Sequence, residues 1–499
     1  MPENTSVTKL IKNALYNSGG WGVNLVVTFL ATPYFVKKLG VEGYGVYTLL
    51  MGLVGYFQLL DPGLAKGVTK FVSKFKAGGK ELSIHKSINS ALFFQVLLGV
   101  PGTVSLVLLA DPILNLLNIP GNLYHEARVG LYVAAIGFLI QVLSGTFGAI
   151  LKGLQRYDAA NKIDASMMVL FYIGGIFILN QDYGLIEVVV WKVITVILTF
   201  GWLFQKANME IGGLNFACGF SKKDIKDLFD FSGYLYISQI SGFVTNYILR
   251  FAISAYLGPA EVTLYEVPRK LVKSLGGFLS RATSVLFPFI SELFERKEVD
   301  KVRKYFINGS KLFASISIPL YLFISIYSKN ILNIWMGDEF AEQSWIILSA
   351  LSISVLFGSL TTAPHSIALG MGLTKEKSLY SVISLILYAV SIPLLIPKLG
   401  VIGVVLVGFI SGVMPGWAFI FIVLLDILDL SKLEFLRRVF SFHAIPLLIS
   451  VFCLILIRQL DSSLLIILSA LIFIGSYFSI MFFSKWIPLS KIRDLGMFR

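Results

Sequence analysis

Long apolar runs recur along this chain from residue 14 to residue 483, and the connectors between them are short. A membrane-crossing helix needs about 20 apolar residues. Inside a bilayer every backbone N–H and C=O must be satisfied within the protein, so such runs fold as helices. Fourteen are read: 14–36, 44–64, 87–109, 127–150, 163–180, 184–204, 232–256, 262–289, 305–327, 343–369, 378–396, 400–425, 440–457 and 463–483. Only 14% of the 499 residues are charged, well below the roughly 25% of soluble domains. An all-α polytopic membrane protein is expected, and a soluble enzyme, a large extracellular domain and a long disordered tail are excluded. The first run is too long for a signal-peptide core and lacks a small-residue cleavage site, so it is expected to remain as the first crossing.

Lysine and arginine are shared unequally between the two sets of connectors. One side, which includes both termini, carries about 30 of the 42; the other carries Lys37, Lys38, Arg128, Lys329, Lys398 and Arg458. The positive-inside rule puts the basic side and both termini in the cytoplasm. This asymmetry accounts for most of the net charge of +13, and nucleic acid is not expected as a partner. Cys218 and Cys453 are far apart, and His85, His125, His365 and His443 show no metal-ligand spacing. There is no P-loop, no GxGxxG and no nucleophile–base constellation. No metal, cofactor or catalytic residue is therefore expected, and the protein is read as no enzyme.

A weak repeat runs through the chain, its matched segments returning at a nearly constant offset. Leu39-Gly40 with Tyr47 matches Leu257-Gly258 with Tyr265, Lys152-Gly153 matches Leu369-Gly370, and the segment from Gly184 matches that from Gly400. Two six-helix lobes around a central cavity are expected: 1–219 with its connector and 220–430. Two additional helices and a cytoplasmic tail follow over 431–499. Parallel repeats place a substrate path at the lobe interface near the midplane.

Charge inside a bilayer costs at least a few kcal/mol per side chain and persists beside water or a partner. Here it concentrates on spans seven and eight. At about 100° per residue, Glu266, Arg269, Lys270, Lys273 and Arg281 fall within about 120° of one helix face. Gln239, Asn246 and Arg250 form a matching polar stripe on span seven. Two arrangements satisfy this pattern. One is a cationic, water-filled cavity. In the other, Arg269, Lys270 and Lys273 lie shallower and snorkel to headgroups, while Glu266 neutralises Arg269 or Lys270 at helical spacing. In the first lobe Asn13, Asn17, Asn24 and Thr28 share a face of span one. Asp61-Pro62-Gly63 is a local break whose carboxylate either caps the continuing helix or meets substrate or ion. Lys66, Lys70 and Lys74 share one face and suit anionic headgroups. Lys192 stands alone within span six, and Gly408, Gly412 and Gly416 form a helix-packing run.

The opening of the chain carries a resemblance: Asn17-Ser18-Gly19-Gly20, then Leu39-Gly40-Val41-Glu42-Gly43-Tyr44-Gly45-Val46-Tyr47, then Asp61-Pro62-Gly63 and a basic connector. It resembles the polysaccharide-transporter branch of the multidrug/oligosaccharidyl-lipid/polysaccharide (MOP) superfamily, which includes Wzx-type O-antigen flippases. The likeness extends over roughly residues 10–430. Many members have twelve spans, so either fourteen is an overcount and twelve helices are present, or the last two are an addition of the kind seen in lipid II flippases. The resemblance implies a flippase moving a polyprenyl-pyrophosphate-linked oligosaccharide from the cytoplasmic to the outer leaflet by alternating access, for O-antigen, capsule or exopolysaccharide. It implies the bacterial plasma (inner) membrane, with membrane lipids and polysaccharide polymerase or chain-length machinery as partners. On that reading Arg250, Arg269, Lys270, Lys273 and Arg281 meet the pyrophosphate or acidic sugars. Asn24, Gln239 and Asn246 bond glycan hydroxyls, and Asp61 or Glu266 couples an ion gradient. A MATE-like exporter of cationic drugs would favour acidic residues, here outnumbered. A non-transporting scaffold of a glycan-assembly complex would need no buried charge stripes.

Overall fold

The computed structural model describes residues 3–57, 64–79, 81–216, 219, 247–282, 286–457, 471–473 and 475–479. Among the described residues there is no strand. The helices are α1 Glu3–Phe57, α2 Leu64–Ala77, α3 Glu81–Leu108, α4 Ala110–Leu116, α5 Gly121–Gly153, α6 Tyr157–Asn180 and α7 Leu185–Ile211. They continue as α8 Leu249–Leu257, α9 Pro259–Ala282, α10 Leu286–Glu295, α11 Val299–Ile326, α12 Ser328–Met336, α13 Asp338–Leu360 and α14 Thr362–Gly370. The last are α15 Thr374–Val407, prolonged to Ile427 through π-helical turns, and α16 Lys432–Ile457. Seven helical runs among the described residues are long and apolar enough to cross a membrane.

Several successive helices are joined by a single glycine. Gly40 interrupts α1 at φ 75°, ψ 166°, separating the first two predicted spans. Gly258 joins α8 to α9 at φ 96°, ψ 168°, and Gly337 joins α12 to α13 at φ 93°, ψ 167°. An L side chain is strained in this region, whereas glycine enters it freely. The rest of the Leu39–Tyr47 motif also has a packing cause. A Cβ on Gly45 would lie 2.0 Å from the carbonyl oxygen of Pro259, so only glycine lets α1 approach the start of α9. Tyr44 and Tyr47 join Phe35 in an aromatic cluster: the Tyr44 and Phe35 rings lie 5.9 and 6.4 Å from that of Tyr47.

The repeat reappears as backbone hydrogen bonding. At the end of α5, Leu154, Gln155 and Arg156 donate to the carbonyls of Ile150, Lys152 and Leu151; at the matching place after α14, Met371, Gly372 and Leu373 donate to Ile367, Leu369 and Ala368. The α3–α4 joint at Leu109 likewise recurs at Tyr327, between α11 and α12, and the turn at Gly79 recurs at Lys297, both with positive φ. Similar local sequence thus encodes the same helix stops twice.

By packing, the chain divides into two compact units, Met1–Thr263 and Leu264–Arg499. Helix α8 and the start of α9 are held within the first unit: Ser254 donates its hydroxyl proton to the carbonyl of Leu117, Asn118 donates to Ala255 at 2.7 Å, and Thr263 donates to Val41 at 2.6 Å. In the same unit α2 buries Leu64, Val68 and Val72 in a cluster with Ile88, Ile150 and Leu151. Its Lys70, Lys74 and Lys76 stay exposed, as an amphipathic helix at a membrane surface requires.

Candidate functional site

Helix α9 carries the charges read on span eight, and its backbone is built around a proline. Pro268 has no N–H, so the carbonyl of Leu264 loses its helical partner. The hydroxyl of the fully buried Ser344, on α13, donates to that carbonyl at 2.7 Å. Further along the helix, Tyr321 of α11 donates its phenolic proton to the carbonyl of Val272 at 3.3 Å. Two side chains from neighbouring helices thereby hold α9 on either side of Arg269.

Glu266 is 1% exposed and Arg269 13% exposed. The Nη1 of Arg269 donates to both carboxylate oxygens, at 3.0 and 3.3 Å. Of the two cations the spacing offers, Glu266 is thus bonded to Arg269. Lys270 is half-buried beside the pair and Lys273 is exposed one turn further. Among the described side chains, this face thus carries Arg269, Lys270 and Lys273 with Glu266. A guanidinium has five N–H donors, and Glu266 engages only Nη1 of Arg269 in these two bonds.

Arg250 lies in α8, in the first unit, with its guanidinium carbon 5.4 Å from the centroid of the Tyr247 ring. That geometry is a cation–π contact, and Gly55 of α1 makes room for its ring. A Cβ on Gly55 would lie 2.7 Å from Cε1 of Tyr247, and one on Gly52 would lie 3.5 Å from the Phe251 ring. Asp61, Gln239 and Asn246 lie outside the described residues. Asn24 and Arg281 are described only as helical positions of α1 and α9.

Lys192, solitary in the sequence, acquires neighbours. Its ammonium lies 4.8 Å from the Phe171 ring centroid and lines a polar cavity of about 440 Å³ with residues of α5, α6 and α7, Asp164 and Lys152 among them. The available signal was polar or small residues at 141, 144, 145, 148 and 152, all on one face of α5. The second unit has an apolar groove of about 790 Å³ lined by Leu322, Phe357, Phe409, Trp417, Phe421 and Phe440, among others. Such a surface accepts any hydrocarbon chain and selects none. Among the described residues there is no His/Cys/Asp/Glu group fit for a metal ion.

Comparison with known proteins agrees with this architecture. Residues 38–345 match the profile of a family described as "Polysaccharide biosynthesis protein". A putative O-antigen transporter of Shigella flexneri is 26% identical over 399 residues, covering 79% of this chain and 93% of that protein. The probable low-salt glycan biosynthesis flippase Agl15 of Haloferax volcanii is 23% identical over 383 residues, 75% of each chain. Among solved structures, the lipid II flippase MurJ in an inward closed conformation superposes with a TM-score of 0.78 at 14% identity, covering 96% of this chain and 100% of that one. An inward-facing MATE family transporter of the MOP superfamily gives 0.65 at 16% identity, over 81% and 95%. The protein is an integral, multi-pass membrane protein with the MOP fold, and it belongs to the polysaccharide biosynthesis protein family.

Proposed function

We propose that this protein is a flippase that carries a polyprenyl-pyrophosphate-linked oligosaccharide from the cytoplasmic to the outer leaflet of a bacterial plasma membrane by alternating access, without catalysing a reaction. The observation that carries this reading is the cationic face of α9. Cations gathered on one face beside a buried ion pair suit a pyrophosphate, which needs cations and N–H donors in a low-dielectric path. Arg269, Lys270, Lys273 and Arg281 of the second unit are assigned to the pyrophosphate or acidic sugars. Arg250 of the first unit is assigned the same ligand class, and Asn24, Gln239 and Asn246 the glycan hydroxyls. Both termini are assigned to the cytoplasmic side, and polysaccharide polymerase or chain-length machinery is assigned as a partner. The names of the two relatives support a glycan carrier, and the 26% and 23% identities leave the particular glycan open. Glu266, bonded to Arg269, is a weaker candidate for ion coupling than the sequence pattern alone offers, which leaves Asp61.

The test is the fate of lipid-linked oligosaccharide in cells lacking the protein. The expected result is accumulation confined to the inner leaflet, relieved by the wild-type chain and by no Arg250→Ala or Arg269→Ala variant present at wild-type level. Normal glycan export together with altered efflux of cationic dyes would move the protein to the drug-exporter class.

A further inference from the structure

The cavity around Lys192 has no part in the reading above, and its hydrogen-bonding chemistry is specific. Its volume of about 440 Å³ is in the range of small-molecule sites. The space exists because α5 turns two glycines toward it. A Cβ on Gly145 meets no heavy atom within 4 Å, and one on Gly148 meets only Leu203 at 4.0 Å. Lys192, Thr195 and Thr199 stand at i, i+3 and i+7 on one face of α7, and Asp164 enters from α6. Counted from the α6–α7 turn at about 1.5 Å per residue, Asp164 and Lys192 are staggered by about 13 Å along the helices. Among the described residues no ion pair joins Asp164 to Lys192 or to Lys152.

The hydroxyl protons in this cavity are already committed. Thr195 donates to the carbonyl of Lys192 at 2.7 Å, Thr199 to that of Thr195 at 2.7 Å, and Ser144 to that of Ile140 at 2.8 Å. Their oxygens remain as acceptors, and the Asp164 carboxylate adds more. The donors are the ammonium groups of Lys192 and Lys152 and the amide of Gln141. A phosphate or carboxylate, whose oxygens are mainly acceptors, would face three hydroxyl lone pairs and the Asp164 carboxylate. A metal ion or organic cation would face Lys192. A ring bearing several hydroxyls satisfies both sets, because each hydroxyl donates once and accepts as well.

We infer that this cavity binds a neutral sugar ring: Lys192 and Gln141 donate to its hydroxyl oxygens, and Thr195, Thr199, Ser144 and Asp164 accept its hydroxyl protons. The binding follows from the cavity alone. That the ring is one unit of a carried glycan rests on the flippase reading, and the two are tested separately.

The full-length protein in nanodiscs is examined by saturation-transfer NMR with free glucose, galactose and N-acetylglucosamine at millimolar concentration, and with orthophosphate as competitor. Wild type transfers saturation to at least one of these sugars. Gly145→Leu, which fills the cavity, abolishes the transfer. Thr199→Val, which keeps the shape and removes one acceptor, weakens binding about fivefold, the equivalent of one hydrogen bond. Gly201→Leu, also on α7 but outside the cavity, changes nothing; a Cβ there meets no heavy atom within 4 Å. Transfer that is absent in wild type, that persists in Gly145→Leu, or that orthophosphate displaces would overturn the sugar site. In cells, Gly145→Leu and Lys192→Met should reduce glycan export. Normal export by variants that no longer bind sugar removes the glycan link, whereas failure of export by the wild type itself removes the flippase reading and leaves the sugar site standing.

Discussion

Replacing Glu266 with alanine removes the carboxylate that receives two hydrogen bonds from Arg269 and leaves that guanidinium, 13% exposed, without it. Breaking one side of a buried pair costs about 3–5 kcal/mol, because the surviving charge stays desolvated. The slight exposure of Arg269 puts the expected loss near the lower bound, about 3 kcal/mol, or about two orders of magnitude in the folded-to-unfolded ratio. The double change Glu266→Leu with Arg269→Met strands no charge and roughly conserves volume, so it should return to within about 1 kcal/mol of wild type. Denaturation midpoints of the purified proteins in one detergent, with steady-state levels in membranes, give the comparison. The reasoning fails if Glu266→Ala melts with the wild type. It fails equally if the double variant is as unstable as the single one, since the loss would then come from packing. The double variant also separates stability from transport: with the fold intact and Arg269 gone, export of lipid-linked glycan should be lost. Full export would take Arg269 out of the substrate path.

Two further outcomes follow from the local geometry. Ser344→Ala leaves the Leu264 carbonyl buried without the hydroxyl that replaces its helical partner, a loss of about 1–3 kcal/mol; adding Pro268→Ala restores the missing N–H, so melting of the double variant should lie above that of Ser344→Ala alone, and no recovery would refute the substitution of side chain for backbone. Outside the spans, the hydrogen bond from Arg156 holds the Asp158 carboxyl below the ordinary carboxylate value. A carboxylate with its folded value lowered contributes stability that is complete above the unfolded value of about 3.9 and is lost as pH falls through the folded one. The difference in melting between wild type and Asp158→Asn should therefore be constant above about pH 5 and close in more acid solution. It should not exceed about 1 kcal/mol, because both ends of the pair are more than a third exposed.

The parts of the molecule legible in one dimension are those set by local period and by the bilayer's demand on the backbone. Span order, the cationic face of α9 and the amphipathic α2 with Lys70 and Lys74 all follow from the periodicity of the helix. Gly40 and Gly258 were legible as a repeated motif because a one-residue joint between successive spans requires a backbone that only glycine adopts without strain. The helix stops after Gly153 and Gly370 were legible as a second repeated pair, although both glycines are themselves helical. Tertiary structure alone decided the rest. Spacing let Glu266 meet Arg269 or Lys270, and the packed environment chose Arg269. Nothing in the sequence around Pro268 indicates that Ser344, four helices further on, completes its turn, or that Gly55 gives Tyr247 room to lie beside Arg250. The cavity around Lys192 needs three helix faces at once, and helical periodicity fixes which residues share a face without fixing which faces meet.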